Sequence, residues 1–564
     1  MIDQATGTVH MAAAANAVAA GVALDVLEAG GNAIDAGVAG GLALNVVHCE
    51  FTHFAGVAPI IIRTAAGATI TIDGLGRWPA AADPNWFRQH HGGRIPPGVH
   101  RSIVPGAPGA WLVALEHFGT MSFADVVAPA IKLAREGFVV GELFHRIVNE
   151  LVLEYARWPE NAALFLPNGA APPVGSIFRL HDLAGTFEHL VHAERKAGGT
   201  RQSGIEAARR AFYLGDIAQA IDRFYRAEGG WLNAADLAAH RTRMEPATRI
   251  PARGGELFTC GAWCQGPLLG QALALLDGID LNRLGHNSTD YIHHMVEALK
   301  LAFADRERWF GDPDFVDVPL DGLLDPDYLK ARASMIDPTR AAPGLPPHGT
   351  PRGGGTRAIG PHPTGAMVTA NLDTSFVCTA DRHGNMFAAT PSDGCFGGPM
   401  VPVTGLCPSP RGSQSWTDPA HASVLAPGKR PRLTPSPALA ERDGRVIAFG
   451  SPGDDLQPQA MLQVLLNRWV FDMTPQQAVD APRFASVSFP RTFEPHEYLP
   501  GRMVAEGRIS ADTRTALVER GHDLQVWDDK DWRSGCVCLI ERETGSGVLS
   551  GAADKRRPAG VVAR

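Results

Sequence analysis

The chain has 564 residues, 45% hydrophobic and 20% charged, a balance that supplies a packed core and excludes wholesale disorder. A net charge of −8 and a pI of about 6.2 argue against a nucleic-acid partner, because such binders concentrate Lys and Arg. No apolar run reaches spanning length and mean hydropathy is −0.05, so no membrane association is expected.

At ~100–200 residues per domain, the length fits three or four domains or one large fold with insertions. The eight cysteines form no C-x-x-C pair, so zinc-ribbon and thioredoxin-type readings fail on spacing. Buried free thiols are the simpler expectation. Residues 1–10 carry no Lys or Arg, so the positive start of a secretory signal is missing and a cytoplasmic protein is expected.

Residues 11–48 read as two apolar helices joined at Gly30-Gly31-Asn32, with Asn32 or Asp35 capping the second. Small residues such as Gly40-Gly41 suit close packing of that helix on a sheet. Pro59 to Asp73 reads as a hairpin turning at Ala65-Ala66-Gly67. Residues 106–235 are mainly helical by periodicity, and a long helix is predicted from about Ser288 to Trp309. Residues 337–371 then hold seven Pro and seven Gly, the composition of a flexible connector. A hairpin follows at Ser375–Thr390, turning at Asp381–Asn385. The strand Val446–Phe449 leads through Gly450-Ser451-Pro452-Gly453 into an apolar helix from about Gln457 to Val470.

Two of these features carry chemistry. Thr374 opens a buried strand directly after the connector, where a hydroxyl usually does no more than pack. The Gly450–Gly453 turn aims backbone N–H groups and a helix N-terminus at one spot, which either stabilises an anion or simply connects strand to helix. Together they point to a nucleophile and an oxyanion hole. His90-His91 and His293-His294 lack partners at metal-ligand spacing, so no metal is expected. Gly353-Gly354-Gly355 has neither the preceding strand nor the following Lys of a phosphate loop, and Gly74-x-Gly76 opens no helix. No cofactor is expected.

Six blocks in order resemble the γ-glutamyltranspeptidase family of N-terminal-nucleophile hydrolases. They are Leu27–Ala36, Val104-Pro105-Gly106 with Pro129–Phe138, Glu297–Arg306 with Gly311-Asp312-Pro313, Asp373-Thr374-Ser375, Lys429-Arg430-Pro431 and Gly450–Gly453. The resemblance implies an α/β fold of the four-layer αββα sandwich type. It also implies a proenzyme that cuts itself between Asp373 and Thr374. The products would be a large region, 1–373, ending in the connector 337–371, and a small region, 374–564. These would stay associated; a dimer of the pair is left open. Thr374 would then carry a free α-amine beside its hydroxyl, so that nucleophile and base share one residue. By the same resemblance Ser392 hydrogen-bonds that amine, and the N–H groups of Gly453 and Asp454 hold the oxyanion.

The departures concern substrate. Leu75 stands where γ-glutamyl enzymes carry an Arg for the substrate α-carboxylate, and Arg77, two residues on, is the candidate replacement. Gln414 stands at the place of the amine-binding acid and Arg411 where Glu or Gln is usual. Leu433 and Thr434 replace two adjacent Ser. Substrate-binding candidates are therefore Arg77, Arg411, Gln414 and Thr434, and the substrate is expected to be a small amide or acyl compound that is not γ-glutamyl. The alternatives are a true γ-glutamyl hydrolase or transpeptidase, a carbon–carbon bond hydrolase of the same family, and an unprocessed binding protein. Retention of Thr374 favours an enzyme.

Overall fold

Strand alternation sorts the side chains of two seven-stranded sheets into an inner and an outer set, and this partition builds the fold. The computed structural model describes residues 4–355 and 373–564. One sheet runs Ala5–Gly7, Leu549–Ala553, Cys538–Glu543, Arg445–Gly450, Ala438–Arg442, Gly255–Thr259, Thr248–Ala252. The other runs Gly560–Ala563, Met11–Ala14, Val377–Ala380, Met386–Ala389, Ile60–Arg63, Thr69–Ile72, Met244–Pro246. All neighbouring pairs are antiparallel.

Cys378, Ala380, Met386 and Ala388 of the second sheet share a buried cluster with Leu439, Val446, Ala448 and Ile540 of the first. The alternate residues Val377, Phe387 and Ala389 pack instead against the helices Ala17–Glu28 and Ala33–Val47. On the far side Ala438, Ala440, Ile447 and Phe449 pack against Gly266–Leu275, Thr289–Trp309 and Gln457–Trp469. The result is the four-layer αββα sandwich. Asn32 caps Ala33–Val47 in a capping box with Asp35, and a Cβ on Gly37 of that helix would lie 2.1 Å from the Phe387 ring. Small residues are what let this helix approach its sheet.

The first apolar segment is corrected in one respect. Met11–Ala14 is a strand, and its helix begins only after the cap Asn16. Helical periodicity is uninformative in an alanine run, and pairing on both edges with Val377–Ala380 and Gly560–Ala563 decides the conformation.

Both sheets interleave strands from either side of residue 373. Met11–Ala14 lies between two strands of the 374–564 region, and Ala438–Arg442 pairs with Gly255–Thr259. The two regions are one sandwich and not separate folding units. The connector's first part is also held. Gly349 N–H donates to Asp305 Oδ1 (2.8 Å), Leu345 N–H to Tyr498 (2.6 Å) and Ala341 N–H to the Arg520 carbonyl (2.8 Å). Residues 356–372 lie outside the described residues. Among the described residues no helix is long and apolar enough to cross a membrane.

Candidate active site

Thr374 sits immediately before the strand Val377–Ala380, fully buried. Its N–H donates to the Phe51 carbonyl (2.8 Å), and its carbonyl accepts from Arg557 Nη1 (3.3 Å). These two bonds hold it at φ 102°, a conformation that costs a β-branched residue on the order of 1–3 kcal/mol. Thr374 Oγ1 lies 2.7 Å from Ser392 Oγ and 3.2 Å from Asp373 Oδ1. Ser392 is delivered by the paired strand Met386–Ala389, and its N–H donates to the Val57 carbonyl (2.9 Å).

Arg411 opens a short 3₁₀ turn, Arg411–Gln414, and is 1% exposed. Its Nη2 donates to both oxygens of the Asp373 carboxylate (2.8 and 2.9 Å) and also contacts Ser392 Oγ. Its Nε faces Asp393 Oδ1, and its guanidinium lies 4.9 Å from the Phe493 ring centre. Burial works against the Arg411 charge, but Asp373 and Asp393 outweigh it and hold its pKa above the ordinary value. Burial lifts Asp393 to about 6 against the pull of Arg411.

The strand Arg445–Gly450 ends in the turn, where Gly453 has φ 120°, a value that favours glycine. Asp454 follows at φ 58°, and the helix Gln457–Trp469 begins just beyond. Gln265 Nε2 braces the turn by donating to the Asp454 carbonyl (2.9 Å) and the Thr434 carbonyl (3.0 Å). Arg306 in turn donates to Gln265 Oε1 (3.0 Å) and pairs with Asp455. Burial pushes the Asp454 carboxyl to about 7; Asp455 and Asp373 add to the rise and Arg491, bonded at 2.8 Å, opposes it. Asp373 acts on Asp454 and Asp454 on Arg411, so turn and corner share one electrostatic site.

The expected γ-glutamyl clamp region is built differently. Leu75 and Leu433 are buried in one apolar cluster with Val57, Trp78 and Trp263. Gln414 Nε2 donates to Thr434 Oγ1 (2.8 Å), and both residues are fully buried. Arg77 does not take the role expected of it. Its Nη1 donates to Asp312 (3.3 Å) and the Gly428 carbonyl (3.0 Å), and its Nη2 to Asp314 (3.2 Å). The strand Thr69–Ile72 ends before Leu75, so the same-side alternation behind that expectation does not apply.

Residues 19–563 match the model of the Gamma-glutamyltranspeptidase family. The chain belongs to that family. It is 31% identical to the Acylase ACY 1 proenzyme of Pseudomonas sp. (strain V22), over 92% of this chain and 88% of that one. It is also 31% identical to the Oxamate amidohydrolase proenzyme of Klebsiella pneumoniae, over 97% of each. Cephalosporin acylase from Bacillus halodurans superposes with a TM-score of 0.86 at 28% identity, covering 100% of this chain and 97% of that one. This member of the family is an amide-bond hydrolase of the N-terminal-nucleophile type.

A cavity of about 210 Å³ opens beside the site of this γ-glutamyltranspeptidase-family chain. Asp454, Asp455 and Leu456 line it together with Phe489, Arg491, Trp527 and Trp532. Trp532 lies 6.1 Å from Phe51, centre to centre, and the Arg557 guanidinium stacks over both rings. Trp532 thus joins the cavity wall to the residues holding the Thr374 backbone. Behind Phe51, His48 Nδ1 bonds Ser375 Oγ (2.9 Å) and His48 Nε2 lies 3.7 Å from Glu50. Burial lowers His48 to about 3 and raises Glu50 to about 8, so this contact is a neutral one at pH 7.

Sequence reasoning missed Asp393, Gln265, Arg306, Asp455, Arg491 and Trp532. Only Arg306, which ends a quoted family block, carried a signal; the rest are brought in by tertiary packing. The structure also gathers His293, Glu297 and His522 within ligand distance of one another. There His293 bonds His522 (2.9 Å) and the Lys300 ammonium sits on Glu297 (2.7 Å), so an internal cation already occupies that carboxylate.

Proposed function

We propose that the chain cuts itself between Asp373 and Thr374 into pieces of 373 and 191 residues that remain joined through the mixed sheets. The mature protein is then an N-terminal-threonine amidohydrolase acting on a small, carboxylate-bearing amide that is not γ-glutamyl. Thr374 Oγ1 attacks the scissile carbonyl, and its own α-amine, titrating near ~7.7–8.0, takes the proton. Ser392 orients that pair. The N–H groups of Gly453 and Asp454 receive the developing oxyanion. The carboxylate of the substrate meets Arg411, a planar fork suited to bidentate pairing.

One observation carries the reading. Thr374 Oγ1, Ser392 Oγ, the Asp373 carboxylate and Arg411 form one buried hydrogen-bonded group, while Leu75 fills the expected α-carboxylate position with apolar packing and the uncharged Gln414, bonded to Thr434, stands at the expected α-amine position. The similarity to an acylase and an oxamate amidohydrolase supports the same class.

The test is intact mass and N-terminal sequencing of purified protein, followed by hydrolysis assays. A fragment starting at Thr374 is expected, and Thr374→Ala should remain one chain without activity. Cleavage of the variant like that of the parent would reject the nucleophile. An ordinary kcat/KM of ~10⁴–10⁸ M⁻¹s⁻¹ on a γ-glutamyl anilide would reject the substrate class.

A further inference from the structure

Cleavage changes what holds the nucleophile. In the precursor the Thr374 nitrogen is fixed by its peptide bond to Asp373; in the mature chain it is a free end, kept in place by contacts alone. Its hydrogen-bond partner is the Phe51 carbonyl (2.8 Å). The peptide plane that follows is pinned on both edges, the Thr374 carbonyl by Arg557 Nη1 (3.3 Å) and the Ser375 N–H by the Pro391 carbonyl (2.8 Å). Resting on the nucleophile and cleavage site proposed above, we infer that Arg557 is a positioning residue of the mature reaction, holding the Thr374 amine beside its own hydroxyl and in its uncharged form.

Arg557 lies in the turn that carries the chain from Leu549–Ala553 in one sheet to Gly560–Ala563 in the other. It is buried, and its Nε donates to the Trp532 carbonyl (3.4 Å). The guanidinium lies 4.6 Å from the Phe51 ring centre and 5.4 Å from that of Trp532. One flat cation therefore touches both the nucleophile's carbonyl and the residue whose own carbonyl receives its nitrogen. Stacking and donating at once is an arginine property; a lysine ammonium supplies the charge without the plane. Thr374, Pro391 and Arg557 all belong to the 374–564 piece, so their contacts do not depend on the end that cleavage releases.

The charge matters as much as the shape. Turnover asks the amine to take the Oγ1 proton as that oxygen attacks the scissile carbonyl, and then to hand it to the leaving nitrogen. The amine can start this cycle only when uncharged. A fixed cation close by disfavours a second one. On the Arg557 side, His48, lowered to about 3, and Glu50, raised to about 8, are both neutral at pH 7. Asp554 is bonded by Arg556 (3.1 Å) and paired with Arg483. Across Thr374 Oγ1 stand Arg411 with Asp393, Asp454 with Arg491, and Asp455 with Arg306, each a cation and an acid in contact. Asp373 ends the other piece. Among the described residues around the amine, Arg557 is the cation without a carboxylate set against it, and its field acts on the proton of the amine.

The experiment uses matured protein, verified by mass to contain a chain starting at Thr374. Arg557→Gln keeps a donor for the Thr374 carbonyl and removes the charge; Arg557→Lys keeps the charge and removes the plane. For both, kcat/KM is followed against pH on the mono-4-nitroanilide of a dicarboxylic acid. In Arg557→Gln the rising limb should move about one pH unit to the alkaline side, the ordinary size of a neighbouring-charge effect, so activity below the limb falls roughly 10-fold. Arg557→Lys should leave the limb where the parent has it. A second readout needs no variant. Cyanate labelling of the parent, read by mass on each piece, should find the Thr374 amine reacting at lower pH than the amine of the large piece. A limb that stays put in Arg557→Gln, a limb that moves equally in both variants, or a Thr374 amine labelled only at higher pH than that of the large piece overturns the positioning role and leaves the nucleophile standing. Absence of a Thr374 fragment from the parent overturns both.

Discussion

The charged corner around Arg411 and the apolar cluster around Leu75 meet at Val57, whose carbonyl accepts the Ser392 N–H. In the corner, one buried guanidinium lies between two carboxylates, and every group depends on its neighbours. In the cluster, Leu75, Leu433, Trp78 and Trp263 pack with little polarity to satisfy beyond the two indole N–H groups, Trp78 bonded to Ser415 (2.9 Å) and Trp263 to Glu245 (2.8 Å). The family's amino-acid clamp needs partners for both a carboxylate and an ammonium. Here Leu75 closes the first position with apolar packing, the uncharged Gln414 stands at the second, and a cation lies on the other side of Ser392.

The strongest way to break this comparison is to force the clamp back. Leu75→Arg would bury a guanidinium in the apolar cluster, where an uncompensated charge costs about 3–5 kcal/mol. Thermal melts should show that loss, and γ-glutamyl anilide turnover should not appear. Folding at parental stability with new γ-glutamyl activity would mean that the clamp site had remained open. Next in size is Arg411→Ala. Losing a hydrogen bond to a charged group costs about 1.5–3 kcal/mol, so kcat/KM on a carboxylated amide should fall by roughly 10–150-fold. An unchanged value would remove Arg411 from substrate binding.

A smaller effect is expected across the site. The cavity beside the Asp454 turn is walled by Trp527 and Trp532, which suits an apolar leaving group. Trp532→Ala should lower kcat/KM for an anilide by about 1–2 kcal/mol more than for the corresponding simple amide, given the contact area an aromatic ring supplies. Equal losses on both would assign Trp532 only to support of Phe51 and Arg557.

The layered fold was readable because its signals are local and repeated. Alternation in Met386–Ala389, the caps Asn32 and Ser288, and the strand–turn–helix at Gly453 each act within a few residues. The site was half readable. Thr374 and the Gly453 turn stand in matching blocks, Ser392 is named only through the family resemblance, and Arg411 stands out because an acid or amide is expected there. Its partners were not visible, since Asp373 and Asp393 reach it only after the hairpin closes. Arg77 misled for the opposite reason. Strand alternation was extended past Ile72, where the chain has already left the sheet, and Asp312 and Asp314 claim the side chain instead. Gln265 and Arg491 lie in stretches with no distinguishing pattern.

The smallest predicted effect concerns Asp454, which sits between corner and cavity. Burial, with Asp455 and Asp373 adding to it, raises its carboxyl from 3.8 to about 7 despite Arg491. The folded state therefore holds this proton more tightly than the unfolded chain does. The stability it contributes is fully present below pH 3.8 and is lost as pH rises through about 7. The same proton governs charge at the site. Below about pH 7 Asp454 is neutral and a substrate carboxylate meets mainly the cation of Arg411; above it a second anion faces the substrate and the oxyanion. The α-amine of mature Thr374 must lose its proton to act as base, near ~7.7–8.0. For a carboxylated amide these opposing requirements give a bell-shaped kcat/KM profile. Asp454→Asn keeps a residue that tolerates the left-handed backbone at φ 58° and removes the charge. The variant should retain the rising limb, lose the falling one, and show a flatter fall in melting temperature between pH 5 and 8. A falling limb that persists unchanged would place the alkaline titration elsewhere.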